Sequence, residues 1–306
     1  DSISMEQLTQ DEDVLDTWFS SWLWPISVFN GFESKEELDY YYPTSVLITG
    51  WDIIFLWVAR MIMAGYEWEG KMPFKDVYFT GMVRDKKRRK MSKSLGNSPD
   101  ALKLIEEYGA DAVRYGMLSC SPAGGDLLFD EKLIENGRNF TNKLWNAMRL
   151  VKSWDIDESL TTPEHNTLAI EWINMSMNET VKSLETSFRD YRISEALMNL
   201  YSFVWNDIFS WYLELIKPAY EKPIDRLTYE ATISLFEKMC TLLHPFMPFI
   251  TEEIYHTIKD RKEGDNCVSS QYPKFVQQEN NILLNQFELL KSIVANIRDI
   301  RNKEQL

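Results

Sequence analysis

The sequence predicts an α/β segment followed by an all-α one, and three observations carry that division. A β-branched run closed by glycine, SVLITG at 45–50, leads into an apolar helical pattern at 53–65. A second strand-like run, DVYFTGMV at 76–83, passes directly into a basic loop. From residue 131 onward the pattern changes to long stretches of helical period. Strand, tight glycine turn and helix make half of a parallel α/β unit, whose ligand site lies at the carboxyl ends of its strands. The two strand ends are therefore expected to open onto one crevice.

A chain of 306 residues carries a prior of about two domains, each large enough for its own core. Its 44% hydrophobic and 26% charged content is that of a globular protein, and 16 Phe, 14 Tyr and 11 Trp point to large buried cores. Apolar runs are broken by charge well short of the ~20 residues that a membrane span needs. Cys120, Cys240 and Cys267 form no CxxC, and none has a neighbouring Cys or His at zinc spacing. They read as reduced thiols of an intracellular, cytoplasmic protein without a metal site. The chain begins at Asp1 without Met or a signal-like segment, and reads as part of something longer.

Taken in order, residues 11–30 crowd together Trp18, Trp22 and Trp24, the last two read as an aromatic core patch. Asp52 is placed to cap the helix at 53–65. Residues 98–119 contain two helices split by Gly109, with Asp111 suited to start the second, and 121–130 is a turn-rich linker. At 135–154, Phe140, Leu144, Ala147 and Val151 share one helical stripe, while Arg138, Asn142, Lys143, Asn146 and Arg149 lie mostly outside it. A longer helix at 190–218 stops at Pro218. A third runs over 228–244, bends at HPFMP and continues to about residue 260. Residues 266–274 read as a loop or short strand, and 283–301 as a further helix. Tyr, Trp and Met in these helices read as core, and His244 as a packed histidine at a proline bend.

The chemistry concentrates at 84–99, RDKKRRKMSKSLGNSP. Arg84, Lys86, Lys87, Arg88, Arg89, Lys90 and Lys93 face one acid, Asp85, in a chain whose net charge is -14. A basic island on so acidic a chain suits phosphate, although charge alone equally fits a solvated loop or a localisation tag. Lys90-Met91-Ser92-Lys93-Ser94 sets two lysines around a small hydroxyl residue, followed by a flexible Gly96-Asn97 exit. Such a loop can close over a polyphosphate with ammonium charges, hydroxyl and backbone N–H groups.

KMSKS in full resembles the signature loop of the class I aminoacyl-tRNA synthetases. DVLDTWFSS, ITGWDIIFLWVARM and YFTGMVRDKKRRKMSKSLGN resemble successive active-site segments of the valyl-tRNA synthetases, a class Ia family. That likeness implies that Gly50 and Asp52 hold the adenosine ribose, that Met82 and Val83 offer backbone groups to adenine, and that Lys90, Ser92 and Lys93 meet the phosphates of ATP. Lys90 and Lys93 are then the catalytic charges. Trp18, Ile53 and Trp57 would wall the isopropyl group of valine, although without that likeness Ile53 and Trp57 at helical spacing read first as core. Residues 98–119 resemble the segment that braces the signature loop against the inner side of the tRNA.

RNFTNKLWNAMR, FSWYLELIKP and LLHPFMPFITEEIY resemble the anticodon-binding domain of the same class, departing from it at Ser210, where an acid is expected. Arg138, Asn142, Lys143, Asn146 and Arg149 would then meet tRNA. The resemblance implies the C-terminal half of a class I Rossmann-like nucleotide-binding fold, at 1–83, then the loop and stem-contact region at 84–134. A helical-bundle anticodon-binding domain at 135–262 and the start of a C-terminal segment at 263–306 would follow. The implied function is valine–tRNA ligase, with ATP, phosphate-bound Mg2+ and no zinc as cofactors. Its implied partners are valine and tRNA(Val), and neither DNA nor membrane. A non-enzymatic tRNA-binding module and an isoleucine enzyme stay open. The second class I motif, HIGH, has no counterpart around His165, His244 or His256. The first half of the nucleotide fold and the editing insertion are therefore expected to lie outside this chain, which should be inactive alone.

Overall fold

The computed structural model describes residues 4–31, 33–121, 124–277 and 281–304. By contact they form two units, 1–82 with 123–126, and 83–122 with 127–306.

The first unit begins with three short helices, α1 (Thr17–Trp22), α2 (Trp24–Ser27) and α3 (Glu36–Tyr41). Strands β1 (Thr44–Gly50) and β2 (Phe74–Thr80) pair in parallel, in a register that sets Gly50 beside Thr80. Both carboxyl ends thus emerge at one edge, as the strand–turn–helix pattern led one to expect. The connection between them is a single tight helical turn at Trp51–Ile53, a π-helical turn at Ile54–Val58, and α4 (Ala59–Glu69). Val58, Met61 and Phe74 form its small core, with Trp22 packed against it.

Three expectations are corrected here. Asp52 does not cap the helix; it lies inside the first turn, and Gly50 holds the capping position without a side-chain bond. Trp24 is not core: it remains 53% exposed and stacks on Trp57, centroids 5.8 Å apart. β2 stops at Thr80 and not at Val83.

In the second unit, β3 (Val83–Arg84) pairs in parallel with β4 (Leu127–Leu128), so the segment read as a linker carries a strand. Then follow α5 (Ala101–Tyr108), α6 (Ala110–Ser119) and α7 (Glu131–Lys152). The stripe Phe140, Leu144, Ala147 and Val151 on α7 is buried as its spacing requires. Short strands β5 (Ile156–Asp157) and β6 (Ile224–Asp225) pair in parallel on either side of α8 (Glu164–Arg189) and α9 (Ile193–Ser202). The 26-residue α8 was not singled out in the sequence; its Trp172 and Leu184 are fully buried. The predicted helix at 190–218 is three pieces: α9, a π-helical stretch Phe203–Tyr212, and α10 (Leu213–Ile216). The bundle closes with α11 (Arg226–Leu243), α12 (Pro248–Ile258) and α13 (Ile282–Lys303). Trp172 stacks on Phe287 of α13 at 4.5 Å, which docks that helix on the common core.

Asp111 stands in the first turn of α6, but Gly109 holds the capping position there. Its buried carboxylate instead accepts the Phe249 and Ile250 N–H groups at 3.3 and 2.6 Å, the orphan donors at the start of α12. Burial lifts this carboxyl above its usual range, against the pull of those two N–H groups. Arg114, one turn on, donates to the carbonyls of Phe246 and Pro245 at 3.0 and 2.8 Å. These two side chains of α6 therefore grip the HPFMP bend from both sides of the chain reversal.

Asp225 starts α11 in the same way, accepting the Thr228 N–H at 2.9 Å and the Thr162 hydroxyl at 2.7 Å. Burial pushes its carboxyl up, but those hydrogen bonds outweigh it and the net shift is downward. A lowered folded value means stability that is present above the unfolded value of about 3.9 and lost as pH falls through the folded one. Asp225→Ala is expected to cost about 1–2 kcal/mol in urea denaturation at neutral pH. The difference from the parent should shrink on acidification below about pH 4, where the parent loses the same contribution. A difference that stays constant from neutral to acid pH would contradict this.

Candidate functional site

In the first unit Gly50, Asp52, Ile53 and Trp57 follow one another along the exit from β1, while Trp18 stands on α1. A Cβ on Gly50 would lie 2.6 Å from an Asp52 carboxylate oxygen, so the strand end and that acid are in close apposition. Thr80 bonds through its hydroxyl to the Thr49 carbonyl at 3.4 Å, keeping the two strand ends together. Beyond β2, Gly124 donates its N–H to the Phe79 carbonyl at 2.9 Å. A Cβ on Gly81 would fall 1.5 Å from the Gly125 carbonyl, so no side chain fits where these backbones cross.

Trp18, Ile53 and Trp57 are all half-buried in this unit. The Trp57 indole N–H donates to the Ser21 carbonyl at 2.9 Å, which ties it to α1, the helix that carries Trp18. A nearby hollow of about 290 Å3 is lined by Trp22, Arg60, Met63, Ala64, Glu67 and Trp68. Its walls include none of the three residues that the resemblance assigned to valine. Met82 is the last residue of this unit's first stretch and Val83 the first of the next; both are half-buried.

The basic run in the second unit is an antiparallel hairpin. Arg84 bridges to Lys90, the Met91 N–H donates to the Val83 carbonyl at 3.1 Å, and Asp85 and Arg89 pair through their backbones at 2.9 Å. Arg88 turns the chain with φ 63°, a left-handed conformation that costs a residue with a Cβ. What holds this turn is Asp85. Its carboxylate accepts the Lys87 and Arg89 N–H groups at 2.9 Å each, the Arg89 side chain at 2.8 Å and the Asn97 amide at 3.1 Å. The Arg89 N–H first of all, then the Asn97 amide, hold the carboxyl well below the usual carboxylate range.

Asn97 reaches further than a flexible exit would. Its amide also donates to the Lys90 carbonyl at 3.3 Å, and its oxygen accepts the Ser92 N–H at 3.0 Å. The signature residues are thus stapled to the hairpin at both Lys90 and Ser92. The Ser92 hydroxyl caps the following turn through the Leu95 N–H at 3.3 Å and meets the Ser94 hydroxyl at 3.1 Å. Lys90 is exposed, and Lys86 pairs with Asp130 at 3.2 Å. The backbone of Lys93 opens the turn Lys93–Leu95; its side chain lies outside what the structure describes. Asp85 and Asn97 are the residues that sequence reasoning passed over. A lone acid inside a run of cations, and an Asn that can tolerate a turn, were the available signals.

On α7, Arg138, Asn142, Lys143, Asn146 and Arg149 are all exposed, opposite the buried stripe. Two of them already have protein partners: Arg138 donates to the Glu107 carbonyl, and the Lys143 ammonium lies 5.8 Å above the Trp205 ring. Trp205 in turn stacks on Tyr201 at 5.6 Å, both half-buried at the edge of the core.

The family described as "tRNA synthetases class I (I, L, M and V)" matches residues 2–130, and "Anticodon-binding domain of tRNA ligase" matches residues 171–306. The chain is 55% identical over 307 residues to the valine--tRNA ligase of Parabacteroides distasonis and 56% identical to that of Phocaeicola vulgatus. Each match covers 100% of this chain and 35% of the relative, so the chain spans about a third of their length. Among solved structures, a LeuRS from Agrobacterium radiobacter K84, in a ternary complex with tRNA and LeuAMS, superposes with TM-score 0.64 at 18% identity, over 87% of this chain and 33% of its own. The methionyl-tRNA synthetase of Mycobacterium tuberculosis gives 0.56 at 21%, over 73% and 46%. At those identities the two structures establish the fold. No helix of the described residues is long and apolar enough to cross a membrane.

Asp85→Ala removes the carboxylate on which the hairpin closes and leaves its cations repelling one another. Limited trypsin digestion should then cut between residues 84 and 93 several-fold faster than in the parent, while cleavage within α7 stays unchanged. Equal rates in the hairpin would show that the turn does not depend on Asp85.

Proposed function

Because the chain belongs to the class I tRNA synthetases of the isoleucine, leucine, methionine and valine group, we propose that it forms part of an enzyme that activates valine with ATP and transfers it to tRNA(Val). The observation that carries this reading is the stapled hairpin. Its return strand carries Lys90 and Met91 of KMSKS, and Asn97 staples Lys90 and Ser92 to it, on the chain segment that follows β2.

In the first step the valine carboxylate oxygen forms a bond to the α-phosphorus of ATP, while the bond to the β-phosphate bridge breaks and pyrophosphate leaves. In the second, a ribose hydroxyl at the tRNA end attacks the adenylate carbonyl and AMP departs. Neither step needs a nucleophile from the protein. The work of this chain is to position the reactants and to place positive charge where phosphate charge develops. Lys90 and Lys93 carry that charge, with Ser92 and backbone N–H groups as donors. Gly50 and Asp52 hold the ribose, and Met82 and Val83 present backbone groups to the base. Trp18, Ile53 and Trp57 discriminate the side chain of valine. A loop so rich in cations suits phosphates and not a metal, so Mg2+ belongs to this site as the companion of ATP.

The bundle from α7 to α12 is the tRNA-binding part in this reading, with the exposed face of α7 at the RNA and the cytoplasm as the place of work. Net charge of -14 makes that contact local and dependent on salt. A tRNA-binding module without catalysis would keep the bundle but have no use for valine.

In the longer protein, Lys93→Ala should cut valine-dependent ATP–pyrophosphate exchange roughly a hundredfold or more, the scale of losing a preorganised charge contact. Isoleucine should not replace valine in that assay. Exchange unchanged by Lys93→Ala would remove the catalytic assignment, and exchange supported better by isoleucine would move the specificity.

A further inference from the structure

Three side chains distant in sequence meet at the end of α11. The Nε2 or Nδ1 of His244, a carboxylate oxygen of Glu252 and the sulfur of Cys267 lie within 4.8 Å of one another. Cys267 is 2% exposed, and the His244 and Glu252 side chains are 16% and 29% exposed. The expectation that no cysteine has ligand partners looked only along the chain; α12 and the turn Cys267–Ser269 fold back onto the end of α11.

The Thr251 hydroxyl lies 2.8 Å from His244 Nδ1 and holds that side of the ring, which leaves Nε2 facing the Glu252 carboxylate across 3.9 Å, too far for a hydrogen bond. Glu252 itself is held rigid: it accepts the Cys267 N–H at 2.7 Å, the Val268 N–H at 3.1 Å and His256 Nε2 at 3.1 Å. A carboxylate has about four lone-pair directions, so one remains for a further partner.

We propose that His244, Glu252 and Cys267 form a binding site for a divalent zinc-like cation that fastens the 267–269 turn to the ends of α11 and α12. The donor set is right for such an ion: one imidazole with its other nitrogen hydrogen-bonded, one carboxylate and one thiol. Bonds of about 2.0–2.3 Å draw ligand atoms together to roughly 3.5 Å, which asks each side chain here to move by about an ångström or less. Binding releases the Cys267 thiol proton, because only the thiolate ligates. Burial holds that thiol up at about 11, so the free site keeps its proton and has no excess anion besides Glu252. Arg261, whose charge reaches Cys267, is occupied by Glu237 at 2.7 Å and Asp265 at 3.6 Å. The role would be structural, since the site belongs to the helical unit.

The test is metal retention by the purified protein. After exposure to zinc and gel filtration it should hold about one zinc per chain. With Co(II) in place of zinc it should show the near-ultraviolet absorption of a thiolate–cobalt bond. Cys267→Ser should abolish that absorption, and His244→Gln should weaken zinc binding at least about tenfold. Zinc should raise the melting temperature of the parent but not of Cys267→Ser. A parent protein that retains no zinc, or whose Co(II) complex lacks thiolate absorption, overturns the proposal whatever the variants do. His244, Glu252 and Cys267 are then packed neighbours and nothing more.

Discussion

Seven cations between Arg84 and Lys93 repel one another, and a chain segment of that composition would by itself stay extended in water. Asp85 reverses this by accepting hydrogen bonds from both sides of the turn and from Asn97 across the signature residues. The hairpin then spends one negative charge to hold a net positive loop in a defined shape, with Lys90 exposed. In the proposed enzyme, a loop shaped before phosphates arrive would lose less entropy when they bind.

The helical unit is fixed by the same device used twice more. Asp225 and Asp111 are buried carboxylates that satisfy the first N–H groups of a helix, one at the start of its own helix and one at the start of a distant one. Asp111 matters most for organisation. Together with Arg114 it binds α6, just after the signature loop, to the bend between α11 and α12. Through α6 the loop region and the bundle become parts of one packed body, with Tyr115 and Phe140 in a common core. In the proposed enzyme that continuity would let the anticodon-binding helices and the phosphate loop keep a fixed spacing on one tRNA.

Much of this was legible in the sequence because the signals were local. SVLITG gave a strand through its β-branching and its closing glycine, and Phe140, Leu144, Ala147 and Val151 gave the buried face of α7 through their spacing. The KMSKS string carried the resemblance to the class I synthetases directly. The signals that failed depend on tertiary partners. Asp111 has the right type and place to start α6, yet its partners lie in α12, nearly 140 residues away. Trp24 looks like core beside Trp22, but the short break between α1 and α2 turns it onto Trp57 at the surface. The long α8 escaped notice because polar residues interrupt its apolar positions, and only packing on both sides shows how much of it is buried. His244, Glu252 and Cys267 share no motif; the chain reversal at Pro245–Pro248 brings them together.

The central claim is that the valine-activating site needs both this chain and the portion of its relatives that it does not span. Valine-dependent ATP–pyrophosphate exchange should be measured on this chain alone and on the same chain joined to the remainder of such a relative. Silence from the chain alone, with exchange appearing once the portion is joined, is the predicted result. Exchange by the chain alone, or silence from both while tRNA still binds, would contradict the divided site and favour a tRNA-binding module instead.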